Sequence, residues 1–86
     1  MTTTNHAAGM NGAVAAALSG MQRESGMRQI DLAERSGIPA VSVQRYLDAK
    51  RPISIEVLLH LATALGVTPM DVMKRAMEIH ARKAGQ

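Results

Sequence analysis

The chain has 86 residues, of which 47% are apolar and 20% are charged, and its formal net charge is +3. This length accommodates one small domain. The chain has no cysteine, which excludes disulfides, thiolate metal sites and thiol nucleophiles. The single aromatic residue, Tyr46, argues against stacking modes of single-stranded nucleic-acid binding. Because Leu, Ala and Met favour helices, the composition predicts an all-α fold.

The first part of the chain divides into a tail and a helix. Residues 1–11 show no apolar periodicity and are predicted to be a flexible N-terminal tail. Residues 12–68 are predicted to form the core of the domain, with a first helix over about 12–25. The apolar residues that recur on one face of this helix are Val14, Leu18 and Met21.

The second and third helices are expected to be short and joined by a turn of about three residues, Gly37 to Pro39. A turn this short sets two helices at a steep angle to each other. The second helix is expected over 29–36, and the third begins at Pro39, which is tolerated at a first helical position. Their predicted inward residues are Ile30, Leu32 and Ala33 in the second helix, and Val43, Tyr46 and Leu47 in the third.

Capping signals bound the last two helices. Ser54 is a good N-cap for the fourth helix, and Gly66 is its predicted stop. Thr68, followed three residues later by Asp71, predicts a capping box for the fifth helix, which is expected to run to about Lys83. The predicted inward residues of the fourth helix are Ile55, Leu58, Leu59, Leu61, Ala62 and Leu65.

Residues 69–86 are predicted to form a C-terminal helix with a frayed end. The helix carries an apolar arc that is wide for the end of so small a bundle. This arc either packs entirely on its own domain or contacts a second copy of the chain, and we favour the second reading. The predicted homodimer contacts are Met70, Met73, Met77 and His80.

The stretch 26–73 resembles the helix-turn-helix DNA-binding domains of the lambda repressor and Cro family, also called XRE-type. The resemblance rests on Gln29 at the start of the second helix, Gly37 at the turn, and the run LLHLATALGVTPMDV. With the first helix it covers residues 13–73. It implies a five-helix lambda-repressor-like domain whose third helix reads the major groove.

The resemblance also implies roles by position. Gln29 would anchor a DNA phosphate at the start of the second helix, and Arg28 adds a positive charge beside it, where the family commonly has a Ser or Thr cap. Lys50 and Arg51 would contact phosphates just past the third helix. The implied base-reading positions are Ala40, Val41 and Arg45, with Ser42 and Gln44 beside them.

The chain departs from the family at these reading positions, which often hold Gln, Ser or Arg. Ala40 and Val41 are apolar and can contact only a thymine methyl group. Arg45 is then the best candidate for recognising guanine, and Gln44 is a lesser candidate for adenine. We expect few direct base contacts and substantial readout of DNA shape.

A second departure concerns an ionic pair that the family often places between its first and third helices. The matching positions here are Gln22 and Leu47. Because both ionic partners are replaced together, no buried charge is stranded.

The resemblance, together with the distribution of charge, implies a sequence-specific double-stranded DNA-binding transcriptional regulator. By this resemblance we expect a cytoplasmic, nucleoid-associated repressor of the Cro-like or phage and mobile-element type, which binds a palindromic operator as a homodimer. Basic residues are in excess in two segments, 23–51, with six basic and four acidic residues, and 74–86, with four basic and one acidic. Only the first belongs to the motif.

Two other functions remain open. The chain could be the antitoxin of a toxin–antitoxin pair, binding both DNA and a toxin protein, or an adaptor that binds protein alone through Ala40 and Val41. We predict no enzymatic activity, cofactor or metal site, since no catalytic constellation is recognisable and the three histidines are widely spaced. We also expect no small-molecule ligand and no membrane contact, the latter because no apolar run approaches the roughly 20 residues of a membrane span.

Overall fold

The computed structural model describes the backbone of residues 2–84 and the side chains of residues 9–83. The described residues fold into five helices without a strand, which confirms the all-α fold. Residues 85 and 86, where we expect a frayed end, lie outside the described part. The helices are α1 Thr2–Glu24, α2 Gln29–Ser36, α3 Ala40–Leu47, α4 Ile55–Leu65 and α5 Pro69–Ala84.

One core holds all five helices together. The most extensive contact is between α1 and α5, while α2 packs on both α3 and α4. Burial of Val14, Leu18 and Met21 confirms the predicted inward face of α1. The largest side chains that are fully buried come from all five helices, and they are Leu18, Leu32, Val43, Leu61 and Val72.

Local capping confirms the predicted starts of α4 and α5. The Ser54 hydroxyl accepts a hydrogen bond from the N–H of Val57 at 3.1 Å, as an N-cap should. The α5 capping box is complete, because Thr68 Oγ1 accepts from the N–H of Asp71 at 3.0 Å and Asp71 Oδ2 accepts from the N–H of Thr68 at 3.2 Å. The hydrogen bond from the backbone N–H of Thr68 to the carboxylate favours its ionised form, so the pKa of Asp71 lies below its ordinary value.

The predicted start of the first helix was wrong by ten residues, because α1 begins at Thr2 rather than near Gly12. Met10 packs against the core, and its neighbours Gly9 and Asn11 contact the rest of the domain through a small and a polar group, which an apolar pattern does not reveal. Gly9 lies beside the ring of His80, where a Cβ atom would be only 3.0 Å from Cε1. Asn11 bonds to the loop before α4. The mobility predicted for residues 1–11 stays a prediction.

Three residues that we expected to face inward are exposed instead, namely Ile30, Ile55 and Leu59. In each case the apolar arc of the helix is wider than the surface that its neighbours cover. Ile55 is 77% exposed because it is the first residue of α4 and precedes the turn that enters the core. On α2, the neighbouring helices cover only Leu32 and Ala33.

The turn between α2 and α3 has the expected form. Gly37 has φ 77°, a left-handed conformation that a side chain would strain, and its N–H bonds back to the carbonyl of Ala33 at 2.9 Å. Pro39 lies one residue outside α3, and its carbonyl accepts the first bonds of that helix, from Ser42 and Val43. These three residues thereby change the direction of the chain, so that α3 crosses α2.

Among the residues that the structure describes, no single helix is both long and apolar enough to cross a membrane, and α4 and α5 meet that test only as a pair bent by 106°.

Candidate nucleic-acid interface

Helix α3 is anchored by its inner side and presents its outer side to solvent. Val43 and Leu47 are buried, and Tyr46 is half-buried against the same core. Tyr46 is therefore a packing residue, as the sequence predicted. We call the outer side, together with the loop that follows, the reading face; its residues are Ala40, Val41, Ser42, Gln44, Arg45, Lys50 and Arg51.

The reading face combines apolar and cationic groups. Val41 is 60% exposed although it is apolar, and Arg45 is exposed one helical turn further along. Among the described side chains, neither Asp31 nor Asp48 forms an ion pair with Arg45. The guanidinium of Arg45 is thus left with its charge and its donors available to a ligand.

Arg28 is the N-cap residue of α2, but its own side chain does not cap the helix. Asp31, at the third position of α2, supplies the cap by accepting from the backbone N–H of Arg28 at 3.2 Å. The Arg28 guanidinium also donates to both oxygens of Asp31, each at 3.1 Å. This pairing lowers the pKa of Asp31 and raises that of Arg28. Asp31 therefore offsets the charge of Arg28 beside the expected phosphate path.

Gln29 is exposed as the first residue of α2, next to the positive end of the helix dipole. This position agrees with the phosphate-anchoring role that the resemblance implies. The role itself stays a prediction.

The loop from α3 to α4 brings Lys50 and Arg51 beside the recognition helix. Ala49 adopts a left-handed φ of 60°, and the N–H of Lys50 bonds to the carbonyl of Arg45 at 2.8 Å, which closes the end of α3. Arg51 then turns back, since its guanidinium donates to Ser42 Oγ at 3.4 Å and lies 5.5 Å from the ring centroid of Tyr46.

Two residues of α1 that sequence reasoning missed hold the end of α3 and this loop. Ser19 Oγ donates to the carbonyl of Leu47 at 3.2 Å. Asn11 Nδ2 donates to the carbonyl of Arg51 at 3.3 Å, and its Oδ1 accepts from the N–H of Ile53 at 2.8 Å. These partners lie 28 to 42 residues away in sequence, so no local pattern could have found them.

Neutral residues occupy the two positions where the family often has an ionic pair. Leu47 is buried, and the amide of Gln22 donates to the carbonyl of Met27. No side-chain nitrogen or oxygen in the described part of the chain is buried without a hydrogen bond, so the replacement leaves no polar group stranded there.

A second exposed surface lies on α5. Met70 is 79% exposed and Met77 is 60% exposed, while Met73 and His80 are half-buried at the border of the core. We call these four residues the methionine face. Met73 also lines an open depression with Ile55 and Met10, so the apolar surface continues onto α4 and α1.

No group of three or more His, Cys, Asp or Glu within the described residues could hold a metal ion.

The chain is similar to known proteins in sequence and in structure. A model of the Cro/C1-type HTH DNA-binding domain matches residues 17–77. A crystal structure of the clp gene regulator ClgR from Corynebacterium glutamicum superposes with a TM-score of 0.85 and 27% identity, over 90% of this chain and 82% of that chain. A second ClgR structure gives a TM-score of 0.77 and 26% identity, over 80% of this chain and 90% of that chain. No curated protein sequence matches.

Proposed function

The chain belongs to the Cro/C1-type helix-turn-helix DNA-binding family, and we propose that it is a transcriptional repressor that binds a palindromic operator as a homodimer. The family model includes all of α2 and α3. Double-stranded DNA is therefore its partner. The likeness to the clp gene regulator ClgR supports a role in gene regulation. We place this activity in the cytoplasm, on nucleoid DNA.

One observation carries the proposal for sequence reading. The exposed side of α3 presents Arg45 without an ion-pair partner among the described residues, and Lys50 and Arg51 continue the positive charge into the next loop. A helix of this size fits the major groove, which is about 12 Å wide. Arg45 would recognise guanine through two hydrogen bonds, and the loop cations would contact phosphates.

The apolar reading residues would recognise a methyl group rather than a hydrogen-bond pattern. Val41 lies one helical turn from Arg45, so the two side chains are neighbours on the surface. Val41, with Ala40 before it, would contact the C5-methyl group of thymine. Ser42 and Gln44 flank this surface and complete the proposed base-reading set.

A mobility-shift titration with the DNA upstream of the chain's own gene tests sequence-specific binding. Wild type should prefer this duplex to random DNA at moderate salt. Arg45→Ala should lose about 1–3 kcal/mol of that preference, since one bidentate base contact is removed. Arg23→Ala removes an exposed arginine at the end of α1 and is the matched control, expected to behave as wild type. Equal binding to random DNA by wild type would contradict sequence-specific reading.

The methionine face supports the homodimer. Two large apolar side chains that are more than half exposed on one helix are suited to burial against a second copy. Two copies related by a two-fold axis would present their α3 helices to major grooves about 34 Å apart. His80 and Met73 would border the contact.

The mass in solution tests this contact. We expect a dimeric mass for wild type and a monomeric mass for Met77→Glu, because the contact would bury an unpaired carboxylate. Arg82→Glu places the same group about 140° around α5 and should leave the dimer intact. A monomeric wild type at working concentration would contradict the homodimer. A dimer that persists in Met77→Glu would show that the dimer contact lies outside the methionine face.

Repression can be measured with a reporter gene placed behind the chain's own promoter. Co-expression of wild type should lower reporter output, and Arg45→Ala should restore it. Increased output with wild type would instead identify an activator.

A further inference from the structure

The loop that carries Lys50 and Arg51 is held in two stages. The first stage belongs to α3 itself, because Asp48, Ala49 and Lys50 all donate backbone hydrogen bonds to carbonyls of that helix, at 2.8–3.1 Å. These bonds end at Lys50. Pro52 follows Arg51 and has no N–H to donate, so it cannot extend this series of backbone bonds.

The second stage is the side chain of Asn11. Its amide nitrogen donates to the carbonyl of Arg51, and its amide oxygen accepts from the N–H of Ile53. One side chain thus satisfies the backbone groups on both sides of Pro52. Asparagine suits this place because it offers a donor and an acceptor on one planar group.

The result is a defined position for the Arg51 guanidinium. With its backbone held by Asn11, the side chain reaches back to Ser42 Oγ and lies over the ring of Tyr46. Among the described side chains no carboxylate pairs with Arg51, whereas Arg28 is paired with Asp31. Arg51 is therefore a preorganised cation at the edge of the reading face.

We propose that Asn11 is a positioning residue for DNA binding, which holds the Arg51–Pro52–Ile53 turn so that Arg51 meets a phosphate without reordering. The proposal rests on the proposed function. Asn11 lies before residues 17–77, which the family model matches, and on the part of α1 that extends beyond the predicted helix. The N-terminal part of α1 is then a support of the DNA-contacting loop.

The test is a double-mutant cycle between Asn11 and Arg51, read out by binding to DNA. The probe is a fluorescent random-sequence duplex of about 30 base pairs, nearly three helical turns, titrated over a series of salt concentrations. Phosphate contacts do not depend on the operator, so random DNA reports them.

Asn11→Ala should weaken binding about 3- to 10-fold, the range expected when a hydrogen bond worth roughly a kilocalorie per mole is lost. The salt dependence should become shallower by up to about 0.9 in the slope of log K against log salt, as for one lost phosphate contact. The double variant with Arg51→Ala should bind no more weakly than Arg51→Ala alone, because both changes remove the same contact.

The controls separate positioning from folding. Alanine favours a helix more than asparagine does, so Asn11→Ala should keep its helical circular dichroism. Gly12→Ala changes the adjacent residue of α1, where a Cβ would meet nothing within 4 Å, and should bind as wild type does. In the free protein, hydrogen exchange at the Ile53 amide should accelerate in Asn11→Ala, since its acceptor is gone.

Three results would overturn the inference. If Asn11→Ala binds DNA as wild type does, the role of Asn11 is contradicted while the proposed function stands. The same follows if the losses of affinity of the two single variants simply add in the double variant. Failure of wild type to bind any duplex would overturn the proposed function and this role with it.

Discussion

The reading face of α3 and the methionine face of α5 both expose apolar side chains, yet their surroundings differ. On the reading face, Val41 lies among cations that have no carboxylate partner in the described residues. On α5, Met70 and Met77 lie on a helix of mixed charge, where Arg75 is bound to Glu24 at 2.8 Å. This pairing raises the pKa of Arg75.

The charges around an exposed apolar group indicate which kind of partner the group can bind. Free cations attract the phosphate backbone, so a small apolar group among them is placed to contact a base methyl. On α5, Arg75 is already bound to Glu24, and the exposed apolar side chains are long, adaptable methionines, which suit a protein surface. The two faces are therefore proposed to bind different partners.

The largest expected effect comes from the core that carries both faces. Leu61 is fully buried between the helices, so Leu61→Ala should cost about 2–5 kcal/mol of unfolding free energy. Urea denaturation would measure this loss, with exposed Thr63→Ala in the same helix as the control. DNA binding and dimerisation should then fail together, whereas loss of only one would show that the faces do not depend on a common core.

The next effect separates two arginines of the proposed DNA surface. Arg51→Ala should weaken binding to random duplex DNA by about 1.5 kcal/mol and reduce the salt slope by about 0.9. Arg28→Ala should do less, because Asp31 already binds that guanidinium through both oxygens. Fluorescence anisotropy over a salt series would compare them. Equal losses would mean that DNA displaces Asp31 from Arg28.

A smaller effect would define the apolar part of the reading face. Replacing thymine by uracil removes one methyl group, so the affinity of wild type for its operator should fall by about 0.8 kcal/mol, roughly four-fold. Val41→Ser should bind both duplexes equally, while Gln44→Ala should keep the preference. If no replacement of thymine by uracil changes the affinity of wild type, a contact with a thymine methyl group is contradicted.

The smallest effect concerns the helix that carries the methionine face. The pKa of Asp71 is lowered by the hydrogen bonds it shares with Thr68, so its contribution to stability is present above the ordinary aspartate pKa of about 3.9 and is lost as the pH falls through the folded value. Thermal melting should show Asp71→Asn less stable than wild type near neutral pH, with the gap closing in acid.

Asp48→Asn is the control for this measurement. It removes a carboxylate of equal charge that makes no hydrogen bond to a described N–H, so it shows what the loss of charge alone does to stability. If the difference in thermal stability between wild type and Asp71→Asn is the same at every pH, an ionised cap at Asp71 is contradicted.

The local features of this protein follow from short stretches of its sequence. The caps at Ser54 and Thr68, and the stop at Gly37, were predictable because each depends on residues three or four positions away. Helical periodicity alone predicted that Arg45 and Val43 lie on opposite sides of α3.

Which apolar residues are covered, and what holds the reading face, depends on how the helices pack together. Periodicity measures how wide an apolar arc is, but burial depends on how much of that arc a neighbour reaches, and so Ile30 and Ile55 are exposed. The support of Arg51 by Asn11 joins residues 40 positions apart through a polar side chain. Such a contact produces no periodic pattern in the sequence, because it forms only when α1 and the loop pack together.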